Sequence, residues 1–166
     1  MSPRAFRGGL DAGGLRVVLL VSRFNEEHGL LMLQAAMAEL IRLGAREDDL
    51  EVISVPGALE LSTAAALRLA ADPTPDALIA LGAVIRGETT HYELVAGECA
   101  RGLSTLSRDT GIPIAFGVLT TENEEQALER AHPERQNKGA EAARVAVEMA
   151  RLSQALRESH AAGGAE

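Results

Sequence analysis

The sequence predicts an α/β fold in which a parallel sheet is covered by helices on both sides. Short aliphatic runs alternate with longer segments of helical period along the whole chain, and strand–helix–strand units of this kind form right-handed crossovers between parallel strands. The first strand candidate, Leu15 to Val21, is a short aliphatic run of the kind that forms a strand buried on both faces. Apolar residues make up 46% of the chain but aromatics only 2%, so the core must be aliphatic and alanine-rich, with closely packed helices.

In chain order, residues 1–14 hold four glycines and little periodicity, and read as an arm or edge strand outside the core. Leu15 to Val21 is the first strand, ending in Ser22-Arg23-Phe24-Asn25. Leu30, Leu33, Met37, Leu40 and Ile41 recur at helical spacing, with Gly44 placed as a C-terminal cap. Leu50 to Val55 reads as the second strand, stopped by Pro56-Gly57, and Leu61, Ala65 and Leu69 mark the second helix. Asp72-Pro73-Thr74-Pro75 separates it from a third strand, Ala77 to Ile85. The third helix covers Thr90 to Asp109 and stops at Gly111.

Ile112 to Leu119 is the fourth strand, with Pro113 tolerated among its opening residues. A turn at Thr120 to Asn123, a short helix from Glu124 to Ala131, a connection from His132 to Asn137 and a last helix from Lys138 to Arg157 follow. Residues 15–157 thus form one domain, and residues 158–166 are expected to fray. In such sheets ligands bind outside the carboxyl ends of the strands, where Ser22 to Asn25, Pro56 to Glu60, Arg86 to His91 and Thr120 to Asn123 should gather.

Charge and cysteine content exclude several function classes. A net charge of −8 and a pI near 5.1 argue against nucleic acid or an anionic membrane surface as partner. The single cysteine, Cys99, precludes an intrachain disulfide framework and fits a reducing, cytoplasmic setting. It shares an apolar helical row with Val95, Leu103 and Leu106, where a packed thiol is expected. No segment approaches the roughly 20 apolar residues of a membrane span, and the N-terminus lacks a hydrophobic signal region. Histidines 28, 91, 132 and 160 are too scattered for metal-ligand spacing, so no metal site is expected.

The run Leu81 to Glu93 concentrates the chemistry. A buried strand breaks at Arg86-Gly87 and reopens into a helix headed by Thr89, Thr90 and His91. Helix N-termini attract anions, and imidazole exchanges protons near neutrality. The same residues also suit a plain turn and helix cap. Phe24, at the end of the first strand, is either a plug or a platform for a flat heterocycle. Arg130, near the end of the short helix, suits a solvated cation complementing the helix dipole, Lys138 equally suits a solvated charge, and composition does not decide either role.

Five segments decide among these readings: Ser22-Arg23-Phe24-Asn25, Val55-Pro56-Gly57-Ala58-Leu59-Glu60, Leu81 to His91, Phe116 to Asn123, and Asn137-Lys138-Gly139. In that order they resemble the lumazine synthase family, over roughly Leu15 to Leu156. The resemblance implies a flavodoxin-like three-layer sandwich with a four-stranded parallel sheet. It implies a transferase of riboflavin biosynthesis, which condenses 5-amino-6-ribitylaminouracil with 3,4-dihydroxy-2-butanone 4-phosphate to 6,7-dimethyl-8-ribityllumazine, phosphate and water. Imine formation, phosphate elimination and ring closure each move protons and none needs an electron carrier or metal, so no cofactor is expected.

Carried onto this chain, the resemblance puts Phe24 on the pyrimidine ring, Ala58, Leu59 and Glu60 along the ribityl chain, and Ala83, Val84 and Ile85 at the ring edge through their backbone. It gives the phosphate to the amides of Glu88 and Thr89, and the proton traffic to His91. Phe116, Arg130 and Lys138 would reach in from a neighbouring subunit, with Arg130 on the phosphate. Leu59 departs from the aromatic residue that many members carry there, which removes a second stacking surface. Partners implied are the two small-molecule substrates, further copies of the chain in a pentamer or a shell of pentamers, and riboflavin synthase. A binding module that lost the chemistry and a purely structural shell are the competing classes; His91, Arg130 and Lys138 together speak against both.

Overall fold

A computed structural model describes residues 3–163. The strands are β1 (Val17–Ser22), β2 (Leu50–Val55), β3 (Ala77–Ile85) and β4 (Ile114–Thr121). They form one parallel sheet in the order β2-β1-β3-β4. Helices α1 (Glu26–Arg42), α4 (Glu124–Ala131) and α5 (Lys138–Gly163) cover one face, and α2 (Glu60–Leu69) and α3 (His91–Thr110) the other. This is the three-layer, flavodoxin-like arrangement expected. The strand order reverses between β1 and β3, the place where such sheets open a crevice.

Strand alternation splits the core in two. Val17, Leu19 and Val21 of β1, with Ile79 and Leu81 of β3, pack under α1 and α5. Val18 and Leu20, with Leu78 and Ala80, pack under α2 and α3. Small residues bring the first layer close: α5 contributes Ala142, Ala143, Ala146 and Ala150. A Cβ at Gly139 would stand 2.4 Å from the Met32 carbonyl oxygen, so the start of α5 lies directly on the α1 backbone. That contact fixes where Lys138 begins its helix. Cys99 is buried in the second layer, and burial pushes its thiol up to about 11.

Several boundaries differ from the sequence reading for local reasons. Leu15 is buried but precedes β1, because its N–H turns back to the Ala12 carbonyl and Arg16 N–H goes to Asp76. Thr120 and Thr121 belong to β4 rather than a turn, held by pairing with Val84 and Ile85. Helix α5 continues six residues past Arg157, to Gly163, through a helix-favouring run in which the Ser159 hydroxyl accepts from Arg4 at 2.7 Å. Residues 158–163 are therefore helical rather than frayed, and 164–166 lie outside the described residues. The arm, unexpectedly, reaches the core. Ala12 is fully buried, and Arg151 of α5 donates to the Asp11 and Gly13 carbonyls at 2.7 Å each.

One buried carboxylate ties α1 to α5. Glu39 accepts two bonds from Arg42, at 2.7 and 2.8 Å, and one from Arg144 of α5 at 3.0 Å. The Arg42 hydrogen bonds, outweighing desolvation and helped by Arg144, pull the Glu39 carboxyl down to about 2 from an ordinary 4.5. A carboxylate depressed on folding contributes stability that is complete above its unfolded value and is lost as pH falls through its folded value. The stability gap between the protein and a Glu39→Gln variant is thus expected to be full at pH 7 and to close between about 4.5 and about 2. Thermal unfolding of both proteins across that range is the measurement; a gap that does not change with pH refutes the assignment.

Candidate active site

The main cleft, about 570 Å³, lies at the carboxyl ends of β1, β2 and β3. β3 outruns β1: their pairing stops at Val21 and Leu81, while β3 stays paired with β4 through Ile85. On the β1 side, the backbone of residues 83 and 85 is therefore left without a ladder partner. Asn25 meets it, its Nδ2 donating to the Ala83 carbonyl at 3.0 Å.

Asn25 does this from a left-handed conformation, φ 56° and ψ 48°, which a short polar side chain tolerates better than most. An Asn just before a helix ordinarily caps it, but here the side chain turns to β3 and makes no capping bond. The neighbouring backbone is held as well, with Arg23 N–H donating to Val55 and Phe24 N–H to Pro56. Phe24 thereby has a fixed backbone and a ring that is 72% exposed at the mouth of the cleft.

The second wall is the start of α2. Glu60 and Leu61 N–H groups donate back to Gly57 and Ala58 in a tight turn. Ala58 is buried, while Leu59 is 46% exposed along the cleft. Glu60 folds its carboxylate over Gly57, where a Cβ would stand 3.0 Å from Oε2.

The third wall runs from Ala83, Val84 and Ile85 through Gly87 and Thr89 to His91, the first residue of α3. Thr90 precedes the helix but makes no side-chain cap, and Thr89 Oγ1 accepts from His91 N–H only at a long 3.4 Å. The simple capping role is therefore not taken up, and the first turn keeps donors for an anion. His91 is exposed into the cleft. Glu88, expected beside it, is exposed and does not line the cleft.

Phe116, Arg130 and Lys138 do not join this group. They line a second cleft of about 290 Å³, which shares no residue with the first. Six consecutive residues, Ala115 to Thr120, line it. That is possible only along a strand's free edge, and β4 is the outer strand of the sheet. Asn123 starts α4 with a true cap, its Oδ1 accepting from Gln126 N–H at 2.9 Å. The helix then sets Arg130 against the cleft. Arg130 donates to the Gln126 carbonyl at 3.0 Å and meets no carboxylate among the described residues. Lys138 is paired with Glu141 at 2.7 Å.

Of the four segments expected to converge, three build the main cleft. The fourth, Thr120 to Asn123, meets the third only through Arg86, because it continues β4 on the far side of β3. Sequence reasoning placed Asn25 in a converging segment without giving it a role, and it passed over Tyr92 and Val95 as cleft residues. Asn25 carried a signal, a residue type suited to left-handed backbone at a strand-to-helix turn. Val95 read as a core position on the apolar row of Cys99, and Tyr92 carried no signal of its own.

These features define a class: an α/β protein with a ligand cleft at the switch in strand order, an aromatic platform on one side and an anion-ready helix start with a histidine on the other. Comparison with known proteins narrows it. Residues 14–154 match the family model of 6,7-dimethyl-8-ribityllumazine synthase. The chain is 52% identical over 143 residues to a 6,7-dimethyl-8-ribityllumazine synthase of Nitrosomonas europaea, covering 86% of this chain and 84% of that one. It is 44% identical over 154 residues to one from Desulfotalea psychrophila, covering 93% and 99%. The chain belongs to the 6,7-dimethyl-8-ribityllumazine synthase family, as its motifs led one to expect.

The left-handed Asn25 gives a direct test of the cleft's geometry. Asn25→Ala and Asn25→Gly both remove the amide, but only Ala also incurs the left-handed backbone penalty of about 1–2 kcal/mol. The Ala variant is expected to have the lower Tm, and equal values would mean that the backbone there is not constrained as described.

Proposed function

We propose that the protein condenses 5-amino-6-ribitylaminouracil with 3,4-dihydroxy-2-butanone 4-phosphate to 6,7-dimethyl-8-ribityllumazine, releasing phosphate and water, as a transferase of riboflavin biosynthesis. The observation that carries this reading beyond family membership is the free backbone of β3 between a stacking ring and an open helix start. Phe24 stacks on the pyrimidine, and the backbone of Ala83, Val84 and Ile85 takes the donors and acceptors of the ring edge. Ala58, Leu59 and Glu60 run along the ribityl chain, where a carboxylate suits hydroxyl donors. The amides of Glu88 and Thr89 take the phosphate; Glu88 needs only its backbone for that, so its outward carboxylate is compatible.

His91 moves protons between the condensing amine, the carbonyl and water. A positioned acid–base group of this kind is worth about 10²–10⁴-fold, and holding both substrates together removes a comparable or larger entropic barrier. Neither contribution requires an electron carrier or a metal.

In this proposal the two clefts of one chain serve different sites. The edge of β4, with Phe116 46% exposed beside Arg130 and Lys138, docks on the main cleft of a neighbouring copy. Two features support it: an open strand edge exposes backbone groups that need partners, and the Arg130 guanidinium meets no carboxylate among the described residues. Lys138 must exchange Glu141 for the incoming ligand. Head-to-tail contacts of this kind close into a ring when the rotation between copies allows it, and a pentamer or a shell of pentamers is the assembly proposed. Riboflavin synthase is the protein partner proposed. No helix among the described residues is long and apolar enough to cross a membrane, and the buried thiol suits the cytoplasmic setting proposed.

Mixing the two substrates with the protein should produce lumazine absorbance above the uncatalysed rate; its absence would favour a binding module. His91→Ala is expected to lower kcat by about 10²-fold without abolishing it. Arg130→Ala should mainly raise KM for the butanone phosphate, and an unchanged KM would remove Arg130 from the phosphate. Light scattering is expected to give a multiple of five chains, and a monomer with full activity would refute a site shared between copies.

A further inference from the structure

Helix α3 carries His91 at its first position, yet neither threonine before it makes a good cap. Its first turn is tied down by another group. Arg86, the first residue beyond β3, donates its backbone N–H to the Thr121 carbonyl at 2.8 Å and so is fixed to the end of β4. Its guanidinium then reaches three ways. Nη1 bonds Glu93 in the first turn of α3, Nε bonds Glu122 of the β4–α4 loop at 2.7 Å, and the plane lies 4.3 Å from the centroid of Tyr92. Tyr92 and Glu93 directly follow His91, so the guanidinium grips the turn on which the imidazole stands.

We propose that Arg86 is a positioning residue for His91, holding the start of α3 at the angle that turns the imidazole into the cleft. The proposal rests on the proton-shuttle reading of His91. Arg86 does not line the cleft, so it does not touch the substrates bound there. Exposed ion pairs add little to stability, so a role in folding alone does not account for the arrangement. The planar fork, with donors in several directions and a face for stacking, is what the three contacts need; a lysine ammonium offers one point charge. The same guanidinium joins α3 to the loop that starts α4. It thereby links the half-site containing His91 to the half-site containing Arg130 within one chain.

A double-mutant cycle on the intact assembly tests this. Misplacing a catalytic group by about 1 Å from a distance can cost up to about 10²-fold. Arg86→Ala is expected to lower kcat roughly tenfold, within that range, while KM for the ribitylaminouracil stays unchanged. In the His91→Ala background the same substitution should leave kcat unchanged, because the group it positions is gone. Arg86→Lys should behave like Arg86→Ala. An equal loss of kcat in both backgrounds, or a rise in KM for the ribitylaminouracil with kcat intact, overturns the proposal. If Arg86→Ala does not fold, Glu93→Ala takes its place in the cycle, with the same results expected and the same results overturning the proposal. A His91→Ala enzyme as fast as the parent sinks the proton-shuttle reading and this proposal together, whereas an additive cycle sinks this proposal alone.

Discussion

The end of β3 is the feature on which the rest depends. Past Leu81 the strand loses β1 but keeps β4, so it projects as a rigid backbone with one side unpaired. A bare backbone edge must find partners, and Asn25 supplies the one at Ala83. What remains open is a set of hydrogen-bonding groups that needs no side chain to hold it in place. Rigid presentation of this kind reduces the entropy lost on binding, and it costs the protein only a longer strand beside a shorter one.

The walls of the cleft follow from that projection. β1 bends away into Phe24 and Asn25, and the turn before α2 brings Ala58 to Glu60 across from them. The strand itself runs into Arg86, which fixes the first turn of α3 from outside the cleft. Each wall is thus built at or just beyond the carboxyl end of a strand, and none depends on a long loop. The two-layer core explains why this is rigid: aliphatic and alanine side chains pack the helices closely, and Gly139 lets α5 rest on the α1 backbone.

The second cleft obeys a different logic. It lies along the outer edge of β4, where Phe116 and Arg130 line a cleft separate from the chain's own main cleft. An edge strand left uncovered, beside exposed apolar side chains, is a surface that a partner completes. Separation of the two clefts is a direct result of strand order, since β4 can pair on one side only.

Much of this was legible in the residues. Aliphatic runs and helical spacing determined the α/β class, the parallel sheet and all four strands; the composition is plainest for β1 and β3, the inner strands, which are buried on both faces. The ordered motifs from Ser22 to Gly139 determined the family. Boundaries such as Leu15, Thr120 and the end of α5 were not legible, since they depend on backbone bonds to Ala12, on β4 pairing and on the length of one helix. Tertiary structure alone decided that Asn25 bonds β3 instead of capping α1, that Arg86 contacts the first turn of α3 through Tyr92 and Glu93, and that Phe116, Arg130 and Lys138 stand apart from Phe24 and His91. Sequence records what each residue is able to do; strand order and strand length decide which residues it can reach.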